Sequence, residues 1–253
     1  MLRRLPFSIR VGLRRVPATL RWLGRPRLAR GDITDFPALH ARRRSPLRRQ
    51  STLYAGGLQA AKEHNVRRAA ALMDGVVIDP GQSLSWHAVI GPPIRARGFV
   101  PGPELHADRL AQGGGGGLCQ VANLAAWLAV HAGLELPVRH RHGLDLFPDE
   151  ARTVPFGLGA TVFFPTRDLV MKNPHEVPLR LGFGVEDGFL LGELRFTEPL
   201  DERFVVEERD AGFERIDGVV YRFNRLVRVS AHGEELLWST RARVAYSVSE
   251  ELL

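Results

Sequence analysis

Two stretches of the chain carry apolar residues at helical spacing. From Gly57 to Asp74, Leu58, Ala61, Val66, Ala69, Ala70, Leu72 and Met73 recur at helical intervals, which predicts a helix stopped by Gly75. From Cys119 to His131 there is neither Gly nor Pro, and Leu124, Ala125, Leu128 and Val130 spread over several sides, so a mostly buried helix is predicted, with Ala132 and Gly133 as its C-cap. Between them, Val76 to Ile78 read as a short buried strand, Pro80 and Gly81 as a turn, and Leu84 and Trp86 as one face of a further strand. The Pro- and Gly-rich IGPPIRARGFVPGPEL, residues 90–105, reads as a surface loop.

After the second helix the period changes to two. Leu136, Val138, His140 and His142 fall on one face and Arg139 and Arg141 on the other, so LELPVRHRHG is predicted to be a strand whose histidines continue the inward face. Beyond Gly157 come ATVFF, LVMKN, PLRLGFGV, GFLLGELRF, RFVVEE, VVYRFNRLVRVS and LLWSTRARVAYSV, with Asp-Gly pairs of tight hairpins at Asp187 and Asp217. The fold class is therefore α+β, an antiparallel β-sheet packed by two or more helices, with no internal repeat. ARRRSPLRRQ, residues 41–50, reads as a charged linker. The expected organisation is a basic N-terminal arm and linker over 1–50, a core over 51–198, and a C-terminal β-strand extension over 199–253 continuous with that core.

Composition adds little until the charge is divided. A chain of 253 residues with 44% hydrophobic and 25% charged residues is ordinary for a globular protein, and a single cysteine excludes an internal disulfide. The net charge is +7, but in residues 1–50 fourteen arginines oppose only Asp32 and Asp35, a balance of +12 that leaves −5 for the remainder. A folded reader of nucleic acid would carry its basic patch on the domain, so nucleic acid is not an expected partner. Arginine recurs too often from Arg3 to Arg30 for a signal peptide or a spanning helix, so a cytoplasmic location against the inner membrane is expected. Leu2, Leu5, Phe7, Ile9, Val11, Leu13, Val16, Leu20, Trp22 and Leu23, interleaved with arginines, suit an anionic membrane surface, while Pro6, Pro17 and Pro26 are expected to break any long helix and leave a partly ordered tail.

The candidate chemistry lies in GGGGGLCQ, residues 113–120. Glycines before a helix start can aim successive N–H groups into one concavity, where they and the helix dipole favour a thiolate at Cys119 or an oxyanion beside it. Gly115, Gly116, Gly117 and Gln120 form the expected anion site, Asn123 follows one turn along the same face, and Arg139 is a further binding candidate. His140 or His142 would take the thiol proton, and Asp145 would orient the imidazole, the arrangement of thiol proteases. The plainer alternatives are a cysteine that only packs, histidines satisfied in the core, and Asp145 as a turn residue. His140, His142 and Cys119 also suit a three-ligand zinc site, although no cofactor is expected.

Several of these segments together resemble the VanW-like family: GQSLSW at 81–86, Gly98 with Phe99, GGGLCQVANLAAW at 115–127, RHRHG at 139–143, Phe147 with Pro148, PFGLGATV at 155–162, and Lys172 with Asn173. The resemblance covers about residues 50–198 and implies a bacterial protein with a cell-envelope or glycopeptide-resistance connection and a cell-wall precursor or peptide as partner. It also implies a short form, a basic lead and the core without an appended wall-binding region. Where the family has an Asp-Ala-Thr element, this chain has Gly159, Ala160 and Thr161, without the acidic side chain. Three readings follow: a Cys-dependent hydrolase or acyl transferase acting on peptidoglycan-related peptides, a non-catalytic module that binds an anionic precursor, or a Cys/His metal-dependent enzyme.

Overall fold

The computed structural model describes residues 7–24, 28–48, 58–106, 109–145 and 154–252, so Phe147 and Pro148 lie outside the described residues. In chain order the elements are α1 (Phe7–Leu23), β1 (Ala38–Pro46), α2 (Leu58–Met73), β2 (Val77–Ile78), β3 (Ser83–Ser85), α3 (Trp86–Ile90), β4 (Gly102–His106), β5 (Arg109–Gly113), α4 (Leu118–His131), β6 (Glu135–Val138), β7 (Leu144–Asp145), β8 (Val170–Lys172), β9 (Leu179–Glu186), β10 (Phe189–Phe196), β11 (Val205–Ile216), β12 (Val219–Ser230) and β13 (Gly233–Val244). The fold is α+β with mostly antiparallel sheets.

The main core forms where α2 and α4 lie on the antiparallel sheet β1-β10-β9-β2. Burial alternates along β10, so that Leu190, Leu194 and Phe196 face inward. A Cβ at Gly192 would approach Leu124 Cδ2 to 2.7 Å, so α4 rests directly on strand backbone. Leu179, Leu181, Leu190 and Leu194 are fully buried, each burial worth about 2 kcal/mol relative to exposure. The predicted hairpin turns are present: Asp187 and Gly188, like Asp217 and Gly218, all have positive φ, as a two-residue turn between twisted strands requires. The long strands β11, β12 and β13 make a second sheet, joined to the rest through the parallel pair β13–β7 and a cluster of Val130, Leu158, Val206 and Leu226.

Four local expectations change. The charged segment after Ala41 is no linker as far as Pro46: it is the edge strand β1, paired with β10 from Ala38 to Pro46. Its outer positions Arg42 and Arg44 are exposed while Ala41 is buried, and Pro46 stands at the strand end, so charge and proline suit a sheet edge. α1 is helical through Pro17 because its far end is docked: Trp22 Nε1 donates to Ala88 O at 3.1 Å, and Arg97 stacks on the Trp22 ring at 4.0 Å. The strand expected to carry both histidines ends at Val138, where Pro137 removes a ladder donor and the pairing with β8 shifts register. ATVFF forms only an isolated bridge, Phe163 to Arg167.

Candidate functional site

The glycine run is a turn between β5 and α4 whose backbone is packed against other backbone. Gly117, the N-cap of α4, has φ 94°, and a Cβ there would meet Lys62 O at 2.9 Å. Asn65, wholly buried on α2, donates to Val100 O and Gly116 O, both at 2.9 Å, and accepts Val100 N–H at 2.9 Å, pinning the turn to the preceding loop. The inward-facing N–H of Gly115 is taken by the carboxylate of Glu104 on β4. The concavity foreseen for an external anion thus already holds an internal one, and neither Asn65 nor Glu104 announced itself in the sequence.

Cys119 is half-buried, and its Sγ donates to Val162 O at 3.7 Å. Burial pushes the thiol pKa up, and the nearby Glu104 charge pushes the same way, against the Val162 contact and Arg167. A thiol acting as donor is opposite in sign to the thiolate that the helix start suggests. His142 is held low chiefly by burial and further by Arg167, so the imidazole is neutral at neutral pH.

A cavity of about 660 Å³ lies between these elements, lined by Gly115, Gly117, Cys119, Gln120, Asn123, His142 and Asp145. His140, Gly116 and Arg139 are not in this lining. The His140 carbonyl accepts Thr161 N–H at 2.7 Å. Arg139 donates through Nη1 to Gly157 O at 2.7 Å and Gly159 O at 2.5 Å, stacks on Trp238 at 3.6 Å, and is lowered to about 10 by burial and Arg141. It remains a cation that clamps the 157–159 loop. Asn123 Oδ1 accepts Ala160 N–H at 2.8 Å, and a Cβ at Gly159 would run into that same oxygen. Gln120 donates to Ser45 Oγ at 3.0 Å and Pro46 O at 2.8 Å, and its Oε1 is buried without a hydrogen-bond partner.

Asp145 is buried, accepts the Tyr246 hydroxyl at 3.0 Å and faces Arg222 at 3.8 Å. Burial first and the Asp145 charge second raise the Tyr246 pKa. Among the described residues no three His, Cys, Asp or Glu side chains could together hold a metal ion, so Cys119, His140 and His142 do not assemble as zinc ligands.

The feature that strand and helix patterns missed is the charge of the cavity wall. Arg15 comes from α1, Arg43 and Arg44 from β1, Lys62 from α2, and Arg141 and Arg167 from the loops beyond β6 and before β8. Among the described residues the carboxylates of the wall are those of Glu104 and Asp145, and both are engaged by protein donors. Arg167 is exposed and has no carboxylate partner among the described residues.

The matches to known proteins fall on these same elements. A family model described as "VanW like protein" matches residues 61–195, more than half of the chain. The chain belongs to the VanW-like family. It is 22% identical over 201 residues to the vancomycin B-type resistance protein VanW of Enterococcus faecalis, covering 77% of this chain and 73% of that protein. It is 28% identical over 157 residues to the uncharacterized protein YoaR of Bacillus subtilis, covering 61% of this chain and 49% of that one. No solved structure matches. The VanW-like region contains the glycine turn, Cys119 and His142, whereas Arg15, Arg43 and Arg44 lie before it.

Proposed function

We propose that this VanW-like protein binds an anionic cell-envelope ligand, a phosphate- or carboxylate-bearing peptidoglycan precursor, in the arginine-rimmed cavity beside Cys119. The observation that carries this reading is the excess of cationic side chains among the described wall residues: Arg15, Arg43, Arg44, Lys62, Arg141 and Arg167 beside the carboxylates of Glu104 and Asp145. Lys62 and Arg141 also donate to Leu47 O and Arg241 O, while Arg167 is exposed at the rim. Such a wall attracts anions and strengthens their hydrogen bonds, because arginine forks match phosphate and carboxylate oxygens. The buried Gln120 Oε1 offers an acceptor for an N–H or O–H of the same ligand. The vancomycin-resistance connection of the Enterococcus relative's name directs the choice to cell-wall chemistry. The test is calorimetric titration with UDP-N-acetylmuramoyl pentapeptide and with pyrophosphate at low and high salt. Saturable binding that weakens with salt, and weakens about tenfold in Arg167→Glu, is the expected result. An absence of binding, or equal affinity in that variant, would sink the reading.

A second reading, a Cys-dependent hydrolase or acyl transferase, is favoured by one observation: Cys119, His142 and Asp145 share the cavity wall. In that case His142 must draw the proton from a thiol whose pKa is raised, so ligand entry would have to break the contact with Val162. Cys119→Ala separates the two readings. Binding that survives the substitution with no turnover in the wild type belongs to the first, and turnover abolished by it belongs to the second.

A further inference from the structure

Among the described side chains of α1, residues 14–23, one face packs against the body. Arg15, Ala18, Thr19 and Trp22 are half-buried against the body, with Arg15 in the cavity wall at 5.8 Å from the Phe163 ring and Trp22 seated against Gly91. Val16, Leu20 and Leu23 project elsewhere and are 65%, 64% and 65% exposed. At roughly 3.6 residues per turn these three lie within about 60° of one another, a single apolar stripe. Arg14 and Arg21, on the next face round, are exposed as well.

We propose that α1 seats on an anionic lipid bilayer through Val16, Leu20 and Leu23, with Arg14 and Arg21 reaching the headgroups, so that the cavity wall containing Arg15 lies at the membrane surface. Charge complementarity selects this occupant. The first fifty residues carry fourteen arginines and two aspartates while the rest of the chain is net acidic, so a negatively charged surface is attracted to this end of the molecule and repelled elsewhere. The long arginine stems allow the guanidinium groups to stay in the headgroup layer while the leucines enter the acyl boundary. A helix of 17 residues with four arginines within Phe7–Leu23 lies on the bilayer: no described helix is long and apolar enough to cross it. The seat stands independently of the ligand read for the cavity.

The experiment is flotation of the full chain with vesicles of phosphatidylcholine alone and with a quarter of phosphatidylglycerol, for the wild type, V16E/L20E/L23E, and Leu236→Glu as an exposed apolar control on β13 (49% exposed). The wild type is expected to float with the anionic vesicles and not the neutral ones, and the triple variant to lose at least about tenfold in partition while the control is unchanged. A Leu20→Cys, Cys119→Ser protein carrying an environment-sensitive dye should shift to the blue on the anionic vesicles. Equal partition of wild type and triple variant, or a dye that stays in water on bound protein, would overturn the proposal. So would a dimer in vesicle-free solution that the triple variant dissolves, since the stripe would then be covered by a second copy.

Discussion

The carboxylate of Glu104 accepts the backbone N–H of Gly115 and sits close enough to Cys119 to raise its thiol pKa. One residue therefore fills the glycine concavity and adds to the burial that holds the neighbouring sulfur protonated. Glu104→Gln retains an acceptor for the amide and removes the charge. Its Cys119 thiol pKa should fall, and the pH profile of alkylation by iodoacetamide should move to lower pH. A profile superimposable on that of the wild type would show that Glu104 exerts no field at the sulfur.

In the wild type, burial is the larger cause of the raised thiol. A raised pKa leaves less thiolate at neutral pH, and only the thiolate reacts. Cys119 should alkylate more slowly than free cysteine at pH 7.5 and gain reactivity only above the ordinary thiol range. Fast labelling at neutral pH would restore a poised nucleophile and move the preference to the catalytic reading.

Helices α2 and α4 and both Asp-Gly hairpins were legible from spacing because their signals are local: period, cap and turn chemistry lie within each segment. β1 was not, because an edge strand places arginines on its outer face and so imitates a charged linker. Nor was α1, whose continuity through Pro17 depends on where Trp22 docks, 66 residues away from Ala88. The same division runs through the site. Cys119, Gln120, Asn123, His142 and Asp145 line one cavity, whereas Arg15, Arg43, Arg44 and Glu104 reach it through packing between segments distant in sequence. His140 dropped out because its strand ends early at Pro137 and Val138.

The glycine run predicts a sharp dependence on stability. Gly117 combines φ 94° with backbone 2.9 Å from where a Cβ would stand, so Gly117→Ala should cost about 2 kcal/mol. Gly143 lines the same cavity, yet nothing lies within 4 Å of its Cβ position, and Gly143→Ala should change stability by less than about 0.5 kcal/mol. Urea unfolding of the two variants measures the contrast. Equal losses would mean that the turn is not held against α2.

Gly91 makes the seat of α1. Its φ is 64°, and a Cβ would come within 2.5 Å of the Trp22 ring. Gly91→Ala should therefore release the helix before it disturbs the core, letting its backbone unwind for tryptic cleavage after Arg14, Arg15 and Arg21 and moving Trp22 emission to the red. The cavity would lose its Arg15 wall at the same time. Unchanged cleavage with unchanged fluorescence would show that α1 is held by something other than this contact.

Asp145 tests whether a buried carboxylate in the cavity wall serves chemistry or architecture. Its backbone pairs β7 with β13 and accepts Ala245 N–H at 2.9 Å, and its side chain gathers Tyr246 and Arg222. Arg222 is 6% exposed at its side chain, and without Asp145 it keeps Glu208 at 3.7 Å. Removing one partner leaves a buried cation undercompensated, so Asp145→Ala should destabilise by about 3 kcal/mol. Tyr246→Phe removes one hydrogen bond to a charged acceptor and should cost about 2 kcal/mol. Because both act on the same carboxylate, the double variant should lose less than the sum of the two. Full stability of Asp145→Ala, with ligand binding or turnover abolished, would instead assign the carboxylate to the cavity's chemistry and detach it from the β7–β13 edge of the sheet.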